Sequence, residues 1–215
     1  MIALGNNPWI LIILTLFELL FILIPPWIAS MIEHNTLSAQ FEELEINELI
    51  RINIHQTKLL ILGLFVGIGL LFLGDFVYDF NILIIQQIFG EIFVKYAQEN
   101  RISTTPIQPT LLQFIVILLL QIFVVALSEE LFFRAFLIKK FNKKFKPWFS
   151  LLISSLIFTL YHTPPFIIPF ITIITFFGYY FTLGILLSLM YYLTDYSLLQ
   201  NITAHGLFNI LILIF

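Results

Sequence analysis

The sequence predicts an all-α, polytopic integral membrane protein with about six or seven transmembrane helices. Three observations carry this. Of 215 residues, 60% are hydrophobic and only 11% are charged, whereas soluble domains hold about 45–50% apolar and about 25% charged residues. Apolar stretches near the ~20 residues that a helix needs to cross a bilayer recur along the whole chain. Several ionisable groups of the second half, Glu129, Glu130, Arg134 and His205, fall inside such stretches rather than between them. So small a charged fraction cannot cover a water-facing surface, which excludes a soluble enzyme, a disordered chain and a nucleic-acid binder. The chain has no cysteine, so disulfides, thiolate metal sites and a cysteine nucleophile are excluded as well.

The elements follow in order. Pro8 to Ile28 is the first apolar run, and Pro25-Pro26 is expected to end it. It lacks the basic start and small-residue cleavage site of a signal peptide, so it reads as a retained helix. Residues 29–56 hold Glu33, Glu42, Glu43, Glu45 and Glu48 and read as an acidic loop or a surface helix. Leu59 to Leu73 is a short span in which Gly63 and Gly67 sit four apart, a spacing that lets a neighbouring helix approach closely. Residues 81–98 are interrupted by Gln86, Gln87, Glu91 and Lys95. They fit an interfacial amphipathic helix or a span. The linker 99–109, with Arg101, Pro106 and Pro109, separates an N-terminal region, 1–109, from a four-helix core, 110–215.

Within the core, helices are expected over Thr110–Lys140, from Pro147 to Thr163, within 166–194, and over Leu198–Phe215. Pro147 suits a first helical turn. Lys139, Lys140, Lys143, Lys144 and Lys146 place five of the ten basic residues in one short loop. The positive-inside rule assigns loop 139–146 to the cytoplasm. The Asp195 turn then lies on the same side.

Ionisable groups inside the membrane are costly and mark function by default. The first cluster is Ser128-Glu129-Glu130-Leu131-Phe132-Phe133-Arg134. Glu130 and Arg134 are four apart and share a helix face, with the glutamate on the favourable N-terminal side. Glu129, turned by ~100° on the helix, is left without a partner in sequence and can serve as a general base toward water. The alternative is a structural polar knot of all three. The second cluster is Phe158-Thr159-Leu160-Tyr161-His162, and the third is His205-Gly206-Leu207-Phe208-Asn209. Each of these alone also fits interhelical hydrogen bonding. At ~1.5 Å rise per residue, Glu129 lies roughly 15 Å, His162 roughly 20 Å and His205 roughly 15 Å from the lysine-loop surface. Three helices thus bring polar groups to one depth. Gln113 and Gln121 read as interhelical hydrogen-bonders, and Glu18 in the first helix as a structural partner or a cavity-lining group.

Glu-Glu-x-x-x-Arg, then Phe-x-x-x-His, then His-x-x-x-Asn, each on its own helix, resembles the CPBP (Abi) family of intramembrane proteases. That family includes the type II CAAX prenyl endopeptidases and bacteriocin-processing or immunity proteins. The resemblance covers about 110–215 and takes in Gly184 and the turn from Tyr192 to Leu198. It implies an intramembrane endopeptidase acting on a prenylated peptide, a leader peptide or a membrane segment, in contact with membrane lipid. In that reading Glu129 activates a water, and Glu130 and Arg134 hold the geometry. His162, His205 and Asn209 stabilise the oxyanion or orient the water. Direct glutamate chemistry without a cofactor is expected. A Zn²⁺ held by Glu129, His162 and His205 is the alternative, although the closely spaced histidine pair of common zinc sites is absent. Rivals of other classes are a non-catalytic immunity or scaffold protein of the same family and a transporter, the latter disfavoured by the lack of paired half-repeats.

Overall fold

The computed structural model describes residues 2–3, 7–50, 53–103 and 108–214. Eight helices are present among them. They are α1 (Pro8–Ile32), α2 (Leu37–Glu43), α3 (Ile54–Phe89), α4 (Glu91–Glu99), α5 (Leu111–Asn142), α6 (Pro147–His162), α7 (Phe170–Leu193) and α8 (Leu199–Ile214). A two-residue parallel pairing, Ile2–Ala3 with Ile102–Ser103, is the one strand contact among the described residues. α1, α3, α5 and α7 are long and apolar enough to cross a membrane, while α6 and α8 are shorter apolar helices of 16 residues each. The chain is an integral, multi-pass, all-α membrane protein.

Three expectations about the N-terminal half are corrected. Pro25 and Pro26 do not end the first helix, which continues to Ile32. In a membrane, neighbouring groups satisfy the carbonyls that a proline leaves free, so an internal proline is tolerated. The short span expected from Leu59 to Leu73 is instead the centre of a continuous 36-residue helix. Residues 81–98 are neither one span nor one surface helix. Asn81 to Phe89 prolongs α3, Gly90 breaks it at φ +89°, and α4 is a nine-residue helix. Glycine is the residue that adopts such a backbone without strain. Buried Val94 and Ala97 seat α4 on the bundle, and Thr172 of α7 donates to the Ala97 carbonyl at 3.3 Å. Of linker 99–109, Pro106 lies outside the described residues.

The glycine pair of α3 meets the last helix. A Cβ on Gly63 would lie 2.7 Å from the Gln200 carbonyl oxygen, and one on Gly67 would lie 2.8 Å from that of Ala204. On another side α8 also approaches α5, less tightly, since a Cβ on Gly206 would lie 3.3 Å from the Ile122 Cα. Small residues thus clamp α8 between two spans. Buried Ser154 of α6 donates to the Phe133 carbonyl of α5, and Ser155 meets Ser188 of α7 at 3.2 Å. Gln113 does not bond between helices as expected. With Thr110 it forms a capping box at the start of α5.

The lysine loop and the Asp195 turn lie on one side of the bundle, joined by Asn142 donating to the Tyr196 hydroxyl at 3.4 Å. The acidic segment 29–56 is on that side too. It contains α2 and a 3₁₀ turn, Ile46–Ile50, and its glutamates pair with the lysines: Lys140 with Glu33 at 2.7 Å and Glu43 at 3.0 Å, Lys143 with Glu43 at 2.8 Å, Lys139 with Glu45 at 2.7 Å.

Candidate active site

α5 is not a uniform α-helix. Gln121–Ala126 and Leu131–Ile138 are wound as π-helix, and the α-helical turn Leu127–Glu130 between them carries both glutamates. π-turns add a residue per turn, so they reset which face the following side chains occupy, and they concentrate at functional sites. Here the two carboxylates of adjacent residues are sent into different surroundings.

Glu130 is fully buried and fully engaged. One oxygen accepts from His205 Nδ1 at 2.8 Å, and the other accepts from Asn201 Nδ2 at 3.1 Å and faces Arg134 Nε at 3.1 Å. The Arg134 approach is ionic rather than a well-aligned hydrogen bond, because none of the guanidinium nitrogens has a hydrogen-bond partner among the described residues. The guanidinium lies instead over aromatic faces, 4.7 Å from the Phe158 ring centroid and 5.7 Å from that of Phe133. Cation–π attraction is strongest where water is absent. A buried arginine is thereby held by one carboxylate and two rings.

Glu129, 2% exposed, has the opposite environment. Its Oε2 is buried without a hydrogen-bond partner among the described residues. The same oxygen faces Nε2 of His162 and Nε2 of His205, each at 3.9 Å. Both rings are anchored through Nδ1, His162 on the Phe158 carbonyl at 3.0 Å and His205 on Glu130. A carbonyl only accepts, so His162 carries its proton on Nδ1 and presents a bare Nε2 when neutral. The 3.9 Å gaps are too long for direct hydrogen bonds and suit a bridging water.

His162, His205 and Asn209 form a wall shared by two cavities. The larger, 550 Å³, holds Glu129, Glu18, Gln121 and Tyr161 on its far side. The smaller, 360 Å³, extends toward Arg101, Tyr179 and Tyr180. Gln121, expected to bond between helices, lines the first cavity.

The six expected residues thus lie in one neighbourhood, four around the cavities and two behind them. Sequence reasoning missed Asn201, which binds Glu130 and the Leu187 carbonyl at 2.8 Å and so ties α8 to α5 and α7. Asn201, His205 and Asn209 recur every four residues, and that period, run one step back, was the available signal. No group of three or more histidine, aspartate or glutamate side chains is arranged to hold a metal ion among the described residues.

Compared with known proteins, residues 111–211 match the family model described as type II CAAX prenyl endopeptidase Rce1-like. No curated protein and no solved structure matches the chain. The matched segment starts at the first residue of α5 and ends within α8, so it contains both glutamates, Arg134, His162, His205 and Asn209. The core of this membrane protein, residues 111–211, is thus similar to the Rce1-like type II CAAX prenyl endopeptidases.

Proposed function

We propose that the chain is an intramembrane endopeptidase in which Glu129 activates a water for attack on a scissile peptide carbonyl, with a CAAX-type prenylated peptide as the expected substrate class. The observation that carries this reading is the Glu129 Oε2, buried, unpartnered and facing two histidine nitrogens at 3.9 Å on a cavity wall. A carboxylate so placed is a general base within reach of one water. The bare Nε2 of His162 orients that water. Asn209 supplies an N–H to the developing oxyanion. His205 gains positive character as the oxyanion forms, with the Glu130 carboxylate behind its Nδ1 in the role of the acidic member of a triad. Arg134 fixes Glu130 rather than touching substrate.

The test is cleavage of fluorogenic peptides, prenylated and unprenylated, by the purified native protein and by Glu129→Gln, each with and without a strong chelator. Loss of a general base costs on the order of 10²–10⁴ in rate. The proposal expects that loss in Glu129→Gln and no effect of chelator. Abolition by chelator assigns Glu129, His162 and His205 to a metal site instead. Cleavage that survives Glu129→Gln overturns the central role of this residue. Cleavage of leader-type peptides in preference to prenylated ones moves the substrate class.

A further inference from the structure

The cavity beside Glu129 has a second carboxylate, and it comes from outside the family-matched segment. Glu18 lies at the middle of α1, in the one 3₁₀ stretch of that helix, Phe17–Leu19. Its neighbours Leu16, Phe17, Leu19 and Leu20 are exposed on the outer surface, while Glu18 turns inward on the stripe that buries Leu11 and Thr15. Its Oε2 is buried with no hydrogen-bond partner among the described residues. Tyr161 of α6 lines the same cavity. Phe21, one turn on, fixes this placement by stacking on Phe132 at 4.9 Å and meeting Tyr161 edge-on at 5.0 Å. Glu18, Glu129, His162, His205 and Tyr161 all line the 550 Å³ cavity, and among the described residues no lysine or arginine does.

We propose that Glu18 is a further catalytic residue, the general acid that protonates the leaving amine across the cavity from Glu129. The inference rests on the proposed peptidase reading. Two carboxyl groups that share an apolar cavity without a cation cannot both keep a negative charge at low cost, so the pair holds one proton between two oxygens of different role. The reaction then balances. Glu129 takes a proton from water, and the hydroxide adds to the carbonyl carbon. The Glu18 carboxyl gives its proton to the amide nitrogen as the C–N bond breaks. The proton on Glu129 returns to Glu18 through cavity water or the Tyr161 hydroxyl, and the net change is one water added across the peptide bond.

The experiment compares the best-cleaved peptide of the fluorogenic panel with its scissile-thioester counterpart, whose thiolate leaves without needing a proton. Glu18→Gln is expected to lower kcat on the amide by on the order of 10² or more, while thioester cleavage stays within a few-fold of native. Retained thioester cleavage also shows that the variant is folded. Glu129→Gln is expected to lose both substrates. Glu18→Gln that cleaves the amide at the native rate, or loses amide and thioester equally, overturns the general-acid role. Neither outcome touches Glu129, whereas a fully active Glu129→Gln sinks the peptidase reading itself. Infrared difference spectra of native against Glu18→Gln, in lipid and without substrate, read the proton directly. The protonated-carboxyl stretch must vanish in the variant. A spectrum that keeps it refutes the proposal.

Discussion

At the residue scale, adjacent glutamates have opposite duties, and the difference is readable in what each one touches. Glu130 satisfies His205 and Asn201 and faces the buried Arg134 charge, so its removal strands a cation in a place without water. Breaking a buried pair from one side costs about 3–5 kcal/mol. Glu130→Gln is therefore expected to lower the thermal midpoint in detergent by many degrees or to prevent folding. Glu129→Gln removes a buried charge whose Oε2 has no hydrogen-bond partner among the described residues and is expected to leave the midpoint unchanged or raised while abolishing cleavage. Equal midpoints for the two variants would contradict the division of labour. Asn201→Leu isolates one strut of the arrangement, and its expected cost is about 1–3 kcal/mol, the penalty of an unmade buried hydrogen bond. The Glu130–Arg134 relation was legible in the sequence because it is local, an i,i+4 spacing on one helix. Asn201 was not read into the site because its partner is 71 residues away, and Glu18, read as a structural partner or a cavity-lining group, does line the cavity although its cavity neighbours are on other helices. A lone polar residue in an apolar helix does not announce which of several helices it faces.

At the element scale, α8 carries His205 and Asn209, and its depth in the bundle is set by glycines on its neighbour. Gly63 and Gly67 of α3 face the α8 backbone, while Gly69 on the same helix has open space where a Cβ would go. Gly63→Ala and Gly67→Ala must push α8 away against backbone atoms, with an expected cost of about 1–3 kcal/mol from overpacking. Gly69→Ala supplies the control and is expected to be neutral or slightly stabilising. Thermal unfolding of the three variants checks this, and cleavage kinetics should fall with the first two and not the third. The pair spacing signalled a close helix contact from sequence alone. The length of α3 did not follow, because Asp75 and Asp79 look like the end of a span although helical hydrogen bonding continues straight through them to Phe89. The proline pair in α1 misled for a related reason. Local rules penalise Pro25 and Pro26, but packing against α5 and α6 through Phe21 fixes the helix just before them. The four core helices were legible to within a few residues because each is bounded by charge or proline. The π-turns of α5 were not, since nothing in an apolar run marks where one residue too many is wound in.

At the scale of the whole molecule, the acidic segment and the lysine loop form a clasp that ties the end of α1 to the end of α5. Two lysines, Lys140 and Lys143, share Glu33 and Glu43 at 2.7 to 3.0 Å, and Lys139 also donates to the Glu43 carbonyl at 2.9 Å. Hydrogen bonds from Lys140 and Gln40 hold the Glu33 carboxyl below its ordinary range. Partial burial pushes Glu43 up, but the hydrogen bonds from Lys143 and Lys140 outweigh it and leave that carboxyl lowered too. Lys143 is raised in return by its bond to Glu43. The sign is fixed by these directions. A carboxylate lowered on folding contributes fully above its unfolded value of about 4.3 and loses that contribution as pH falls through its lower folded value. The raised Lys143 contributes below its ordinary value of about 10.4 and fails only above it. The clasp is therefore closed across neutral pH and opens in acid. Exposed pairs are worth about 0–1 kcal/mol each, so the clasp should open without unfolding the bundle. The chain has no native cysteine, which allows spin labels at Glu42→Cys and Lys144→Cys, residues outside the ion pairs, to report only this contact. Their distance distribution is expected to be short and narrow at neutral pH. It should broaden as pH drops below the ordinary carboxylate range, and it should be broad at neutral pH in Lys140→Gln. High salt should act in the same direction as acid because these charges face solvent. A distribution that stays narrow in acid and in Lys140→Gln would mean that apolar contacts of buried Leu44, rather than the ion pairs, hold this segment to the core.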